Sequence, residues 1–265
     1  MANEVSADQL LRIVRNLADI ADGISMKYAK SGIVPFETKE DSTPVTRADR
    51  EVEIALREQL SKLRGDESVV GEEFNPKVPD DASYWVIDPI DGTKNFIRNV
   101  PVWATLIGYV QNGHPRFGMV SAPMLGRRWW GSIETGSFTS HVDGSELPIH
   151  VSNVENLNEA SLSYSDDSDW LAIHKADQLQ TLKSLTWRQR AYGDFWSHMM
   201  VAEGSVDVAA EAKLAIWDVA ALIPIVEGAG GMITGMNGES PLISLSAFTS
   251  NAKLHPALLT IFQSS

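Results

Sequence analysis

The sequence predicts a mixed α and β protein built in two styles, an α+β half over residues 1–150 and an α/β half over residues 151–265, joined as one continuous globular unit. Three observations lead there. Apolar residues recur at helical spacing near the start of the chain. An Asn-Gly pair separates two apolar runs near its middle. Beyond residue 150, helical stretches alternate with short apolar strands.

Taken in order, residues 6–29 read as an amphipathic helix. Leu10, Ile13, Val14, Leu17 and Ile20 fall at helical spacing, Ser6 and Gln9 are spaced as a capping box, and Gly32 and Pro35 end the helix. Residues 33–46 are polar and read as a loop, with Pro44 near its end. A second helix is expected over 46–63 on Ala48, Val52, Ile54, Leu56 and Leu60, followed by a short strand at 68–71. Residues 85–87 form a compact strand expected to stop at Asp88-Pro89. Residues 103–110 and 115–121 are strands joined by Gln111-Asn112-Gly113, a strong hairpin signal. Strands continue over 127–150, with turns at 134–136 and 143–144. In the second half, helices are expected at 170–184, 194–204, 218–229 and 255–263, and strands at 206–211, 233–234 and 247–250. Pro224 lies inside the third of these helices and should disturb one hydrogen bond.

Composition narrows the function classes. Hydrophobic residues make up 43% of the 265, enough for a real core. A net charge of −13 argues against wrapping nucleic acid, which needs Lys and Arg, and suits cations, whether metals or a positively charged substrate. The absence of cysteine removes disulfides, zinc thiolate sites and cysteine nucleophiles. No apolar run approaches the roughly 20 residues that span a bilayer, and no secretory pattern opens the chain, so a cytoplasmic protein without membrane contact is expected.

The chemistry concentrates at Asp88-Pro89-Ile90-Asp91-Gly92-Thr93. A strand ends at Asp88, Pro89 sets the backbone direction, and Asp91 returns after a tight turn, so both carboxylates and the Ile90 carbonyl can face one point. Gly92 allows a close approach, and Thr93 opens what reads as a helix, whose first amides suit a phosphate. Asp, Pro and Gly are also ordinary turn residues, so this stretch alone does not decide. Two further acids add weight: Glu72 in Gly71-Glu72-Glu73 after an apolar strand, and Asp218 in Trp217-Asp218-Val219 at an expected helix N-cap. The plain alternatives are a solvated acidic loop and a simple cap. An all-oxygen ligand set favours Mg²⁺ or Mn²⁺ over Zn²⁺.

In the order and separation of these three motifs, with Gly230-Gly231 following, the chain resembles the inositol monophosphatase-like phosphatases over nearly its whole length. The resemblance implies a layered αβαβα sandwich of the inositol monophosphatase and fructose-1,6-bisphosphatase type, a homodimer, and two or three Mg²⁺ per site, with Mn²⁺ a possible substitute. It implies that Glu72, Asp88 and the Ile90 carbonyl hold a first metal, and that Asp88, Asp91 and Asp218 hold a second. Glu72, with water, holds a weaker third. It implies that Asp49 and Thr93 orient the attacking water, and that the Gly92 and Thr93 amides hold phosphate oxygens. Lys39 matches a mobile-loop lysine near the metals, and an exposed loop lysine is the plain alternative.

Substrate choice is expected from residues outside these motifs. Arg190, Asp194, Glu211 and Asn251 match family positions near the substrate. Two acids facing the ligand suit an amine better than a neutral polyol, although they could equally hold hydroxyls or pair with Arg190. The stretches 100–104, 121–130 and 188–194 resemble the actinobacterial-type histidinol-phosphate phosphatases of the family more than its inositol enzymes. That resemblance implies hydrolysis of histidinol phosphate by direct attack of water. An inositol phosphatase, a nucleotide 3′-phosphatase and a sugar bisphosphatase are the enzymatic alternatives, and a non-enzymatic acidic scaffold the alternative of another class. Most of the eight tryptophans are assigned to the core, with Trp129-Trp130 weighed as a dimer contact.

Overall fold

The computed structural model describes residues 5–30, 32, 34–39, 43–65, 67–74, 77–80 and 82–263. Helix α1 (Ala7–Ala29) begins at Ser6, whose hydroxyl accepts from the Gln9 amide while the Gln9 side chain accepts from the Ser6 amide. The predicted capping box is present, but the helix closes at Lys30, before Gly32. Helix α2 (Arg47–Arg64) begins at Thr46, again in a reciprocal cap, this time with Asp49.

Between them the expected loop is not wholly irregular. Strands β1 (Phe36–Thr38) and β2 (Pro44–Thr46) pair antiparallel, and residues 33 and 40–42 of the predicted loop lie outside those described. The sequence signal was weak because a three-residue strand with an exposed surface shows no burial alternation.

Seven strands follow as one sheet in sequential order: β3 (Ser68–Gly71), β4 (Ser83–Asp91), β5 (Ala104–Gln111), β6 (His114–Ala122), β7 (Arg127–Ser132), β8 (Gly136–Ser140) and β9 (Glu146–Ile149). Only the first pair is parallel. Asn112 and Gly113 both adopt positive φ, as the two-residue β5–β6 turn requires. Strand β4 does not stop at Asp88-Pro89. It continues to Asp91, with the ladder to β5 broken between Asp88 and Asp91. Helix α3 (Thr93–Ile97) then starts where expected.

The second sheet has the order β11-β10-β12-β14-β13, from β10 (Ser161–Tyr164), β11 (Arg188–Arg190), β12 (Val208–Glu211), β13 (Gly231–Thr234) and β14 (Ala247–Asn251). β10 runs parallel to both neighbours, and β14 antiparallel to both of its own. Strands β10 and β11 were not anticipated. Each is short, and the Arg188–Arg190 strand is polar and partly exposed, so neither shows an apolar run.

Two predicted helices are each two. The 170–184 stretch divides into α4 (Asp167–Ala172) and α5 (Ala176–Leu185). His174 takes positive φ there, and the Lys175 amide donates back to the Trp170 carbonyl, a Schellman-type closure. Helix α6 (Asp194–Ala202) is as expected. The 218–229 stretch divides into α7 (Ile216–Val219) and α8 (Leu222–Gly228). Pro224 has no N–H to give the Ala220 carbonyl, so the ladder fails at that point, and Pro224 falls in the first turn of α8, where proline is tolerated. A short α9 (Pro241–Ser244) precedes β14, and α10 (His255–Gln263) follows it.

The layers run helix, sheet, helix, sheet, helix. Leu10, Val14 and Leu17 of α1 and Val52 and Leu56 of α2 pack on the sheet face carrying Ile87, Ile107, Tyr109 and Trp130. The opposite face, with Leu106, Val120 and Trp129, meets Phe195 and Met199 of α6 and Leu222 to Val226 of α8. Beyond the second sheet, Trp170, Leu179, Leu182, Leu258 and Phe262 of α4, α5 and α10 cover Leu162, Val208 and Phe248. Trp129 and Trp130 are buried on opposite faces of β7, so neither serves as a surface contact. No helix among the described residues is long and apolar enough to cross a membrane.

Candidate metal centre and adjoining acidic cleft

The site forms at the end of β4, where the broken ladder with β5 turns Asp88 and Asp91 out of regular alternation. One oxygen of each carboxylate is held by a backbone amide. Asp88 Oδ1 accepts from the Ile90 N–H at 2.9 Å, and Asp91 Oδ2 accepts from the Phe195 N–H at 2.7 Å. Asp218 Oδ2 accepts from the Ala215 N–H at 2.7 Å. Asp91 therefore caps α6, and Asp218 caps α7, from within the chemistry of the site. Donor oxygens of Asp88, Asp91 and Asp218 lie within 4.8 Å of one another.

Three carboxylates this close strain their own ionisation. Burial, followed by the charges of Glu72, Asp91 and Asp218, holds the Asp88 carboxyl well above the usual range. Burial also raises Asp91, with Asp194 and Asp218 adding to it, and it pushes Asp218 up to about 7. A buried all-oxygen set that repels itself is the donor chemistry of a hard divalent cation, and the residues fit that group.

Glu72 stands in the turn after β3, beside the cluster, and its Oε1 receives the Lys39 ammonium at 2.7 Å. Lys39 also reaches Glu73 Oε1 at 2.6 Å. Burial pulls the Lys39 ammonium down, but these two carboxylates outweigh it and hold it above its ordinary range. Gly71 makes this turn possible. A Cβ there would lie 2.1 Å from Glu53 Oε1, and Glu53 Oε2 accepts from the Glu73 N–H at 2.7 Å. Any side chain at 71 would expel the buried carboxylate that fixes the turn.

Gly92 is the second such position. It is left-handed, with φ 81°, and a Cβ would meet the Val102 carbonyl at 3.0 Å and Asp194 Oδ2 at 3.3 Å. Thr93 Oγ1 donates to the Ile90 carbonyl at 3.0 Å. Asp49 is fully buried. Its Oδ2 accepts from the amide and hydroxyl of Thr46, while Oδ1 has no hydrogen-bond partner. Burial pushes Asp49 up to about 6. The expected Asp49–Thr93 pair makes no direct hydrogen bond here.

A cleft of about 330 Å³ is lined by Glu72, Asp88, Ile90, Asp91, Gly92, Thr93 and Asp218. It adjoins a larger cleft of about 540 Å³, and both share Asp91, Lys94, Asp166, Asp194 and Asp218. The larger cleft brings in Asp167 and Asp169 of α4, Tyr164 and Ser165 beside it, Glu211 of β12, and Lys213, Leu214 and Leu222. Asp194 takes positive φ at the first position of α6, and its Oδ2 accepts from Asn95 Nδ2 at 3.3 Å. Burial, then the charge of Glu211, raises Asp194 to about 6. Glu211 is 4% exposed, and its buried Oε1 has no partner.

Two expected substrate residues lie elsewhere. Arg190 is on the outer strand β11, exposed, with Nη1 on the Gln189 carbonyl, and lines neither cleft. Asn251 is buried and fully engaged. Its Nδ2 donates to the Ser152 and Val154 carbonyls, and its Oδ1 accepts from the Lys253 and Leu254 amides. It staples the segment entering the second sheet to the corner before α10, with no group left to face a ligand. Conversely, Lys94, Asp166, Asp167 and Asp169 were missed. The run Ser165-Asp166-Asp167-Ser168-Asp169 was a legible signal, but without β10 recognised there was no strand end on which to place it.

The geometry and the chain's relatives agree. The chain belongs to the inositol monophosphatase family, whose sequence model matches residues 6–265, and it is accordingly a phosphatase. It is 47% identical over 253 residues to the histidinol-phosphatase of Streptomyces coelicolor, covering 94% of this chain and 95% of that one. It is 44% identical over 257 residues to the histidinol-phosphatase of Mycobacterium tuberculosis, covering 97% and 98%. Its structure is similar to that of an inositol monophosphatase from Zymomonas mobilis, with a TM-score of 0.85 at 27% identity over 98% of this chain and 100% of that one.

Proposed function

We propose that the chain hydrolyses L-histidinol phosphate to L-histidinol and phosphate, the ester bond breaking at phosphorus through direct attack by water. The observation that carries the substrate is the larger cleft. Asp166, Asp167, Asp169, Asp194 and Glu211 outnumber Lys94 and Lys213 on its walls. An inositol or sugar ester brings no positive charge to such a wall, and a bisphosphate would meet repulsion. Histidinol brings an ammonium and a titratable imidazole. Tyr164, Leu214 and Leu222 supply apolar surface for the ring. The names of the relatives at 47% and 44% identity support the same substrate.

In this reading Glu72, Asp88, Asp91, Asp218 and the Ile90 carbonyl hold two divalent ions, with Glu72 sharing a third. When bound, such ions lower the pKa of water and neutralise the phosphate and the departing oxygen. The chain's own groups do the rest. Thr93 and Asp49 orient the water, the Gly92 and Thr93 amides receive phosphate oxygens, and Lys39, paired with Glu72 and Glu73, adds positive charge beside them. Asp194 and Glu211 hold the ammonium so that the ester lies over the cluster. Mg²⁺ as the ion, a homodimer and a cytoplasmic location rest on the family resemblance.

Phosphate release from histidinol phosphate, inositol 1-phosphate, a nucleotide 3′-phosphate and fructose 1,6-bisphosphate tests the substrate. Preference for the inositol ester would overturn it. In ¹⁸O-labelled water the label is expected in phosphate, and label in the alcohol would refute attack at phosphorus.

A further inference from the structure

Behind the acidic cleft lies a buried polar pair that the reaction does not use directly. His198, on α6, is fully buried between that helix and the second sheet. Its Nδ1 lies 2.7 Å from Thr249 Oγ1 on β14. Its Nε2 lies 3.8 Å from Glu211 Oε2 on β12 and has no hydrogen-bond partner. The other Glu211 oxygen, Oε1, is likewise buried and without a partner, on a residue that lines the ligand cleft. Thr249, His198, Glu211 and the cleft thus form one line.

Two unsatisfied buried polar atoms on neighbouring groups are costly unless a further group completes them. The tautomer follows from the geometry. A proton on Nδ1 would leave the Nε2 lone pair facing a carboxylate oxygen. The favourable arrangement has Thr249 donating to Nδ1 and Nε2–H directed at Glu211. At 3.8 Å that donor is too far for a full hydrogen bond, and a small rotation of the carboxylate closes the gap. A cation in the cleft holds the Glu211 carboxylate from one side while His198, 3.8 Å from Oε2, holds it from the other.

We infer that His198 is a positioning residue that orients Glu211 toward the cationic group of the substrate, with Thr249 setting its tautomer. This rests on the proposed preference for a cationic ester. It adds a specificity element on a helix whose first residue, Asp194, already lines the cleft.

The test is steady-state kinetics of the full-length, Mg²⁺-loaded enzyme with histidinol phosphate and inositol 1-phosphate. His198→Asn keeps a partner for Thr249 and removes the donor to Glu211. It is expected to lower the ratio of kcat/KM between the two esters about tenfold, through KM for histidinol phosphate, the scale of one charge-assisted hydrogen bond. His198→Gln, which replaces an N–H near Nε2, should recover most of it. In a Glu211→Gln background, His198→Asn should change the ratio less than about twofold, because its effect passes through Glu211. Should His198→Asn not fold, Thr249→Val provides a smaller loss in the same direction. Equal losses on both esters, or a full tenfold loss that persists without Glu211, would overturn the inference. A wild-type enzyme with no preference for histidinol phosphate sinks the cationic-substrate reading and this inference together, whereas a wild-type preference untouched by His198→Asn sinks this inference alone.

Discussion

The carboxylate cluster and the acidic cleft beside it share Asp91 and Asp218, yet they are built in opposite ways. The cluster is assembled from short local motifs. Asp88 and Asp91 are separated by one turn, and each of the three aspartates is fixed by a backbone N–H. The cleft draws residues from β10, α4, α6 and β12, far apart in the chain, and its buried Glu211 leaves one oxygen without a partner. The first arrangement is held by the chain's own amides, while the second leaves a carboxylate oxygen without a partner. On the proposed reading, the cluster carries the reaction and the cleft the choice of alcohol.

The strongest way to break that division is Asp88→Asn. Removing a group that faces the reacting phosphate should cost at least about 100-fold in kcat/KM on every ester, and chelation by EDTA should abolish activity until Mg²⁺ is restored. A loss confined to histidinol phosphate would show that the cluster also selects substrate. The same variant should raise the melting temperature of metal-free protein, because it removes one of the mutually repelling carboxylates.

Glu211→Gln is the matching change in the cleft. It should lower kcat/KM for histidinol phosphate about 10- to 100-fold, as expected for losing a charged hydrogen-bond partner, and alter inositol 1-phosphate turnover far less. Equal losses on both would merge the two regions into one.

The cluster should also be visible in stability. Asp218 has a folded pKa pushed up to about 7, and Asp88 and Asp91 are likewise raised well above their ordinary values. A carboxyl whose folded pKa exceeds its unfolded one binds protons more tightly when folded. Its contribution is therefore complete below the unfolded pKa and is lost as pH rises from about 4 through about 7. Metal-free protein should melt at a lower temperature at pH 8 than at pH 5, and saturating Mg²⁺ should shrink the difference. A melting temperature indifferent to pH without metal would refute the mutual repulsion.

The smallest effects on activity are expected at the two residues that the structure places outside both clefts. Asn251→Ala breaks four backbone contacts and should destabilise the fold by about 2–3 kcal/mol, measured by urea unfolding, while activity per folded molecule stays within about twofold. Arg190→Ala should leave both within that range. A large kcat/KM loss with either would return it to the substrate site.

Much of the site was legible because its signals are local. Asp88, Asp91 and Gly92 occupy one turn, and Glu72 and Asp218 each follow recognisable apolar stretches. That Asn251 is engaged by the backbone was not legible, because a motif position carries no information about hydrogen bonds made to residues 97 and 99 places away. Asp166, Asp167 and Asp169 were overlooked because an acidic run beside a partly buried short strand reads as an ordinary solvated face. The single helices expected at 170–184 and 218–229 were divided by one left-handed residue, His174, and one missing amide, at Pro224. Neither outweighs apolar periodicity in a sequence window.

By itself, the sequence determined the mixed α and β elements, the hairpin at Asn112-Gly113, the reciprocal cap of α1, and the acidic turn from Asp88 to Thr93, all of which depend on residues close together in the chain. Only the tertiary structure decided that Asp91 caps α6 from another layer, that Gly71 yields its place to the Glu53 carboxylate, and that Glu211 stands between His198 and an acidic cleft. Such relations depend on how the layers stack. Each is set by packing between residues far apart in sequence, for which spacing along the chain gives no measure.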